Sequence, residues 1–149
     1  MSIVLVGFAL LMVIPVFLAR RHVGESAARH ILPGMSVALG AGIAAGGASL
    51  PWAPAPLDFG RDAVTVLGLS AGLYLLGVAM LLRVESQRLA LAALVVAVVI
   101  LGIALRDWLD AVERVGETLS GLAVVALGGL VAGVGAVARI VLGRADPPR

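Results

Sequence analysis

Residues 119–142 read LSGLAVVALGGLVAGVGAVARIVL, a run whose single charge, Arg139, falls near its end. Crossing the hydrocarbon of a bilayer takes about 20 mostly apolar residues in helical form. This run satisfies that requirement and predicts a membrane-spanning helix. Moving back along the chain, residues 89–105 read LALAALVVAVVILGIAL, and 63–82, 31–50 and 3–19 are similarly apolar. The expected fold is all-α: an integral membrane bundle of five transmembrane helices forming one domain over residues 1–149. The 31–50 stretch is a poor helix by propensity, since it carries Gly34, Gly40, Gly42, Gly46 and Gly47. Helix is still expected there, because unpaired backbone groups are too costly in lipid for any open alternative.

Composition agrees with that reading. Of 149 residues, 61% are hydrophobic and 13% charged, with a mean hydropathy of +1.11. Soluble domains run nearer half apolar and a quarter charged. A chain this short has too much surface for its volume to hide the excess in an aqueous core. Lipid is therefore the first expected partner. All basic residues are arginine, and cysteine is absent, which excludes disulfides, thiolate nucleophiles and cysteine-ligated metals. The net charge of +2 is spread between apolar spans, so nucleic acid is not an expected partner.

Arginine placement gives an expected orientation. With five spans, Arg20, Arg21, Arg29, Arg83, Arg88, Arg139, Arg144 and Arg149 fall on one side, against Arg61, Arg106 and Arg114 on the other. Positive charge favours the cytoplasmic face. The N-terminus is then outside and the C-terminus cytoplasmic, in a multi-pass protein of the cell membrane, with a prokaryotic inner membrane expected. The run 3–19 carries its arginines after the apolar stretch rather than before it, unlike a signal peptide, so it reads as a retained helix. Pro15 predicts a kink in it. Pro33 is expected to open the 31–50 helix, where a missing N–H costs little.

Between the spans, Trp52 in the proline-rich stretch 51–56 is expected to anchor at the headgroup level. Residues 106–118 are amphipathic and predict an interfacial helix or a continuation of the 89–105 helix. Leu105, Trp108, Leu109, Val112 and Val115 repeat at helical spacing, with Asp107, Asp110, Arg114 and Glu117 on the other face. Asp110 and Arg114 are spaced to pair. Trp108 is a second expected interfacial anchor. Arg139 is a third, close enough to the end of its helix to snorkel to headgroups.

The strongest local pattern is small residues four apart: Gly42 and Gly46, with Ser36 and Gly40 extending the pattern, Gly68 and Gly72, and Gly129 and Gly133. In lipid such pairs let helix backbones approach and gain van der Waals contact. They are the expected helix-packing residues. No Asp, Glu, Arg or His lies in the middle of an expected span. Ion and proton carriers place such groups there, so coupling of that kind is disfavoured. Ser36, Ser49, Thr65, Ser70 and Tyr74 are expected to return their hydroxyls to their own helices. His22 and His30 flank one turn, with Glu25 nearby, but nothing fixes a ligand geometry. No catalytic residue, metal or cofactor is expected, and no hydrolase or nucleotide motif is taken from the sequence.

Those readings favour a non-enzymatic membrane protein: a small subunit or scaffold packing through its small-residue faces against other helices, its own or those of a larger complex. The alternative is a small oligomeric transporter or channel for an uncharged or lipophilic solute.

Overall fold

The computed structural model describes residues 27–50, 60–82, 87–115 and 120–144. They form four long helices: α1 (Ala27–Ala48), α2 (Gly60–Leu81), α3 (Gln87–Val115) and α4 (Ser120–Arg144). All four are long and apolar enough to cross a membrane. The expected 3–19 span, its proline kink and the 51–56 stretch with Trp52 lie outside the described residues.

Each helix runs antiparallel to its neighbours. Gly34 near the start of α1 faces Leu81 and Gly77 near the end of α2, and Asp62 at the start of α2 pairs with Arg106 far along α3. Leu101 and Ala97 of α3 face Gly129 and Gly133 of α4 in reverse order. The ring closes between α4 and α1, where Gly135 sits against Pro33 and Ser36, and Gly121 and Val125 against Gly47. This last pair is the most closely packed, whereas α2 and α3 share the loosest seam.

The buried positions explain the direction of packing. On α3, Ala90, Ala93, Ala97, Ile100 and Ala104 are buried, in steps of three and four. On α2, Val66, Ser70, Leu73, Gly77 and Met80 follow the same rule. A repeat of 3.5 residues keeps one line of side chains facing a partner helix that crosses at a shallow angle. The α3 line is nearly all alanine. The outward faces are also apolar: Val64, Leu67 and Leu75 on α2 and Val95, Val98 and Leu105 on α3 are between 47 and 71% exposed. Helices apolar on every side suit a lipid surrounding rather than water. Such faces are compatible with a membrane protein.

Two expectations are corrected here. Pro33 does not open α1 but lies inside it, because the helix begins at Ala27. Its missing N–H therefore falls within the hydrogen-bonded ladder, where proline favours a bend. The amphipathic stretch 106–118 is not a separate interfacial helix over its described part. α3 runs unbroken to Val115, as the continuation reading anticipated.

Candidate functional site

Two features stand out, a set of close glycine contacts and a cluster of charges at one end of the bundle. The glycine contacts follow from the heptad lines. Gly40 and Gly47 on α1 are seven apart, as are Gly121, Gly128 and Gly135 on α4. A β-carbon built at Gly40 would meet the Ala132 N–H nitrogen and lie 2.5 Å from the Gly128 carbonyl oxygen. One at Gly47 would lie 2.7 Å from the Val125 nitrogen, and one at Gly135 2.8 Å from the Pro33 oxygen. Gly77 of α2 approaches the Ala38 nitrogen at 2.7 Å by the same measure. Backbone meets backbone at each of these points, so no side chain fits.

The glycines expected to pack helices are distributed differently. Gly42 is buried and Gly46 half-buried on α1. A β-carbon at Gly129 would meet the Leu101 side chain at 2.9 Å and lie 3.6 Å from the Ala97 carbonyl oxygen, and one at Gly133 would meet only Ala97, at 4.0 Å. Gly68 and Gly72 point out of the bundle with no atom within 4 Å, as does Gly102 of α3. The closest contacts thus follow steps of seven, whereas the sequence reading used steps of four. The seven-residue glycine repeat on α4 was the available signal.

The charge cluster joins α2 to α3. Arg106 donates from Nη2 to Asp62 Oδ2 of α2, and from Nε and Nη2 to Asp107 Oδ1 at 3.0 and 2.8 Å. The Arg106 side chain is 61% exposed and that of Asp62 29%, but Asp107 is fully buried. Its Oδ2 has no hydrogen-bond partner among the described residues, and the same holds for Ser70 Oγ. Asp110, on the next turn of α3, is half-buried.

Helical spacing left open which face of residues 105–112 turns inward, and it is the one that carries Asp107. Asp107 and Ala111 point inward, while Leu105, Leu109 and Val112 are 62, 55 and 42% exposed. Helical periodicity separates two faces without saying which one meets the bundle. Here α3 carries its inward line of 90, 93, 97, 100 and 104 onward without a break, and 107 and 111 are its next positions. Asp107 lies beyond the expected 89–105 span but within the apolar segment of α3, which extends to Glu113.

Thr65 and Ser49 donate to the carbonyls of Arg61 and Ala45, at 2.9 and 3.0 Å, as the sequence suggested. Ser70 does not. Gly68-Leu69-Ser70-Ala71-Gly72 does spell G-x-S-x-G, contrary to the absence of hydrolase motifs stated above. A serine nucleophile of that kind needs a sharp strand-to-helix turn that exposes its hydroxyl. Ser70 is instead buried in the middle of α2, so the match carries no hydrolase chemistry.

Trp108 is half-buried against the core of α3, and Arg139 is half-buried on α4. Near the Leu81 end, Leu32, Pro33 and Ser36 of α1 and Val134, Gly135, Ala138 and Leu142 of α4 border a shallow, mostly apolar groove of about 270 Å³. His22 and Glu25, like the expected Asp110–Arg114 pair and the side chain of His30, lie outside what is described. No group of three metal-ligating side chains occurs among the described residues.

Comparison with protein-family models, with curated proteins and with solved structures found no match. The functional reading therefore rests on chemistry and geometry.

Proposed function

We propose that the chain is a non-enzymatic polytopic membrane protein that serves as a subunit or scaffold, binding further transmembrane helices at its small-residue faces. The observation that carries this reading is the outward pair Gly68 and Gly72. Glycines on the inner lines of this bundle are covered by backbone, whereas these two leave a patch of α2 with no neighbour. A second helix, from another copy or another protein, gains close van der Waals contact on such a patch.

The test is assembly in mild detergent. The purified protein is expected to run as an oligomer or with a partner from its native host. Gly68→Leu with Gly72→Leu is expected to release a monomer of unchanged helical content by circular dichroism. A wild-type protein that is a stable lone monomer defeats the reading. Gly68→Ala alone is expected to leave the fold intact, and even to add up to about 1 kcal/mol through helix propensity, measured by denaturant titration of the monomer.

The proposed topology is five spans with the N-terminus outside and the C-terminus cytoplasmic. Charge supports it. Among the described residues, Arg29, Arg88, Arg139 and Arg144 gather at one end of the bundle with no carboxylate, while Asp62, Asp107, Asp110 and Glu113 share the other end with Arg61, Arg106 and Arg114. Arginine-rich ends stay in the cytoplasm. Because the chain has no cysteine, single cysteines report cleanly. Glu113→Cys is expected to react with an impermeant thiol reagent added outside intact cells, and Ser86→Cys only after lysis. The opposite pattern reverses the orientation.

A second reading, a small oligomeric carrier of an uncharged or lipophilic solute, has the apolar groove between α1 and α4 in its favour. Solute flux in reconstituted vesicles, lost on Ser36→Leu, would select it over the scaffold.

A further inference from the structure

We infer that the Asp62–Arg106–Asp107 cluster is a proton-binding site, and that Asp107 Oδ2 is the atom that takes the proton. Three observations lead there. The first is charge. One guanidinium serves two carboxylates, leaving the cluster with an excess of one negative charge. Asp110 on α3 adds to that excess, Arg61 of α2 and Glu113 of α3 lie at the same end, and the ends of α1 (46–48) and α4 (120–125) there contribute no titratable group. The second is burial. Asp107 is fully enclosed, and Arg106 spends both of its donors to this residue on Oδ1, so Oδ2 has none. A buried carboxylate oxygen without a donor is costly, and a neutral carboxyl is far cheaper to bury.

The third observation concerns the ligand. A metal cation needs several oxygen or nitrogen ligands, and no set of three such side chains occurs among the described residues. A proton needs one oxygen. Access is available through the same cluster, because Arg106 is 61% exposed while its head group touches buried Asp107. The step is a simple transfer. Hydronium at the aqueous end gives its proton to Oδ2, an O–H bond forms there, water is released, and Arg106 keeps its bonds to Asp107 Oδ1 and Asp62. The cluster becomes neutral. Ionisable groups inside apolar helices are expensive and usually mark such functions.

The proposal concerns a single chain and stands apart from assembly, so it is tested on the full-length protein in detergent or nanodiscs. Infrared difference spectra across a pH titration, in H2O and D2O, are expected to show, apart from the bands of the exposed carboxyls at low pH, a protonated-carboxyl C=O band at the higher frequency of a buried group that shifts on deuteration. Asp107→Asn is expected to remove that band while leaving helical content unchanged. Asp62→Asn is expected to keep the band and move its midpoint to lower pH, because one neighbouring negative charge is gone. That second variant alters a partly exposed residue and keeps the test decisive if Asp107→Asn fails to fold. The proposal is overturned by the absence of any such band in the wild type, by its survival in Asp107→Asn, or by an unmoved midpoint in Asp62→Asn. Loss of the band on adding sodium or potassium at constant pH also overturns it, in favour of a metal cation.

Discussion

Gly40→Leu is expected to separate α1 from α4 and cost the protein its folded bundle. At this position even a methyl group meets the Ala132 nitrogen and the Gly128 carbonyl oxygen, which belong to a helix backbone and cannot rotate aside. Overpacking a well-filled core costs about 1–3 kcal/mol per modest insertion. Gly40→Ala should fall in that range. A leucine must push whole helices apart, which also opens the contacts at Gly47 and Gly135 along the same line. Gly128→Leu should behave alike, since a β-carbon there meets Ala44 and the Gly40 oxygen. The measurement is the loss of helical signal in mixed-detergent titration, with Gly68→Leu as the matched control. An equal effect at Gly40 and Gly68 in the monomer would mean that the α1–α4 contact is not the closest in the fold.

Arg106→Leu is expected to be the most damaging single change at the other end of the bundle. It strips Asp107 of all its hydrogen-bond donors among the described residues and leaves the Asp62 carboxylate beside it. Breaking a buried pair by removing one member costs much more than replacing both with apolar groups. The double variant Arg106→Leu with Asp107→Leu should therefore recover most of the stability lost in the single one. Its leucine at 107 would continue a line already held by Ile100 and alanines. A double-mutant cycle reads this directly as non-additivity. Simple addition of the two effects would show that Arg106 does not serve Asp107.

How much of this was legible in the sequence depends on the physical signal. The four described helices follow from apolar length alone, because lipid leaves the backbone few options. Their ends were less legible: α1 begins four residues ahead of the expected 31–50 stretch and encloses Pro33. What periodicity left open was facing. In water, an amphipathic helix shows its core by its apolar side, but around Asp107 both the interior and the surroundings accept apolar groups. Leu105, Leu109 and Val112 could go outward, and the register of α3 then carried Asp107 in. The seven-residue steps were hidden for a related reason. Pairs four apart are visible in any glycine-rich segment, whereas the antiparallel α1–α4 pair selects steps of seven that only a partner helix defines.

The closure of α1 on α4 also bears on the order in which the protein comes into being. Gly40 and Gly128, which touch, are 88 positions apart in the chain. At about 5–20 residues per second, translation separates them by roughly 4–18 s. Contacts between distant segments form late and slow folding. For that interval α1 is made but lacks its closest neighbour, with its glycine line open to whatever helix is near. A nascent chain arrested before residue 120 should consequently be the form most readily captured by insertion machinery, degraded by membrane proteases or paired with the wrong helix. Completion of the last helix is the event that ends this vulnerability.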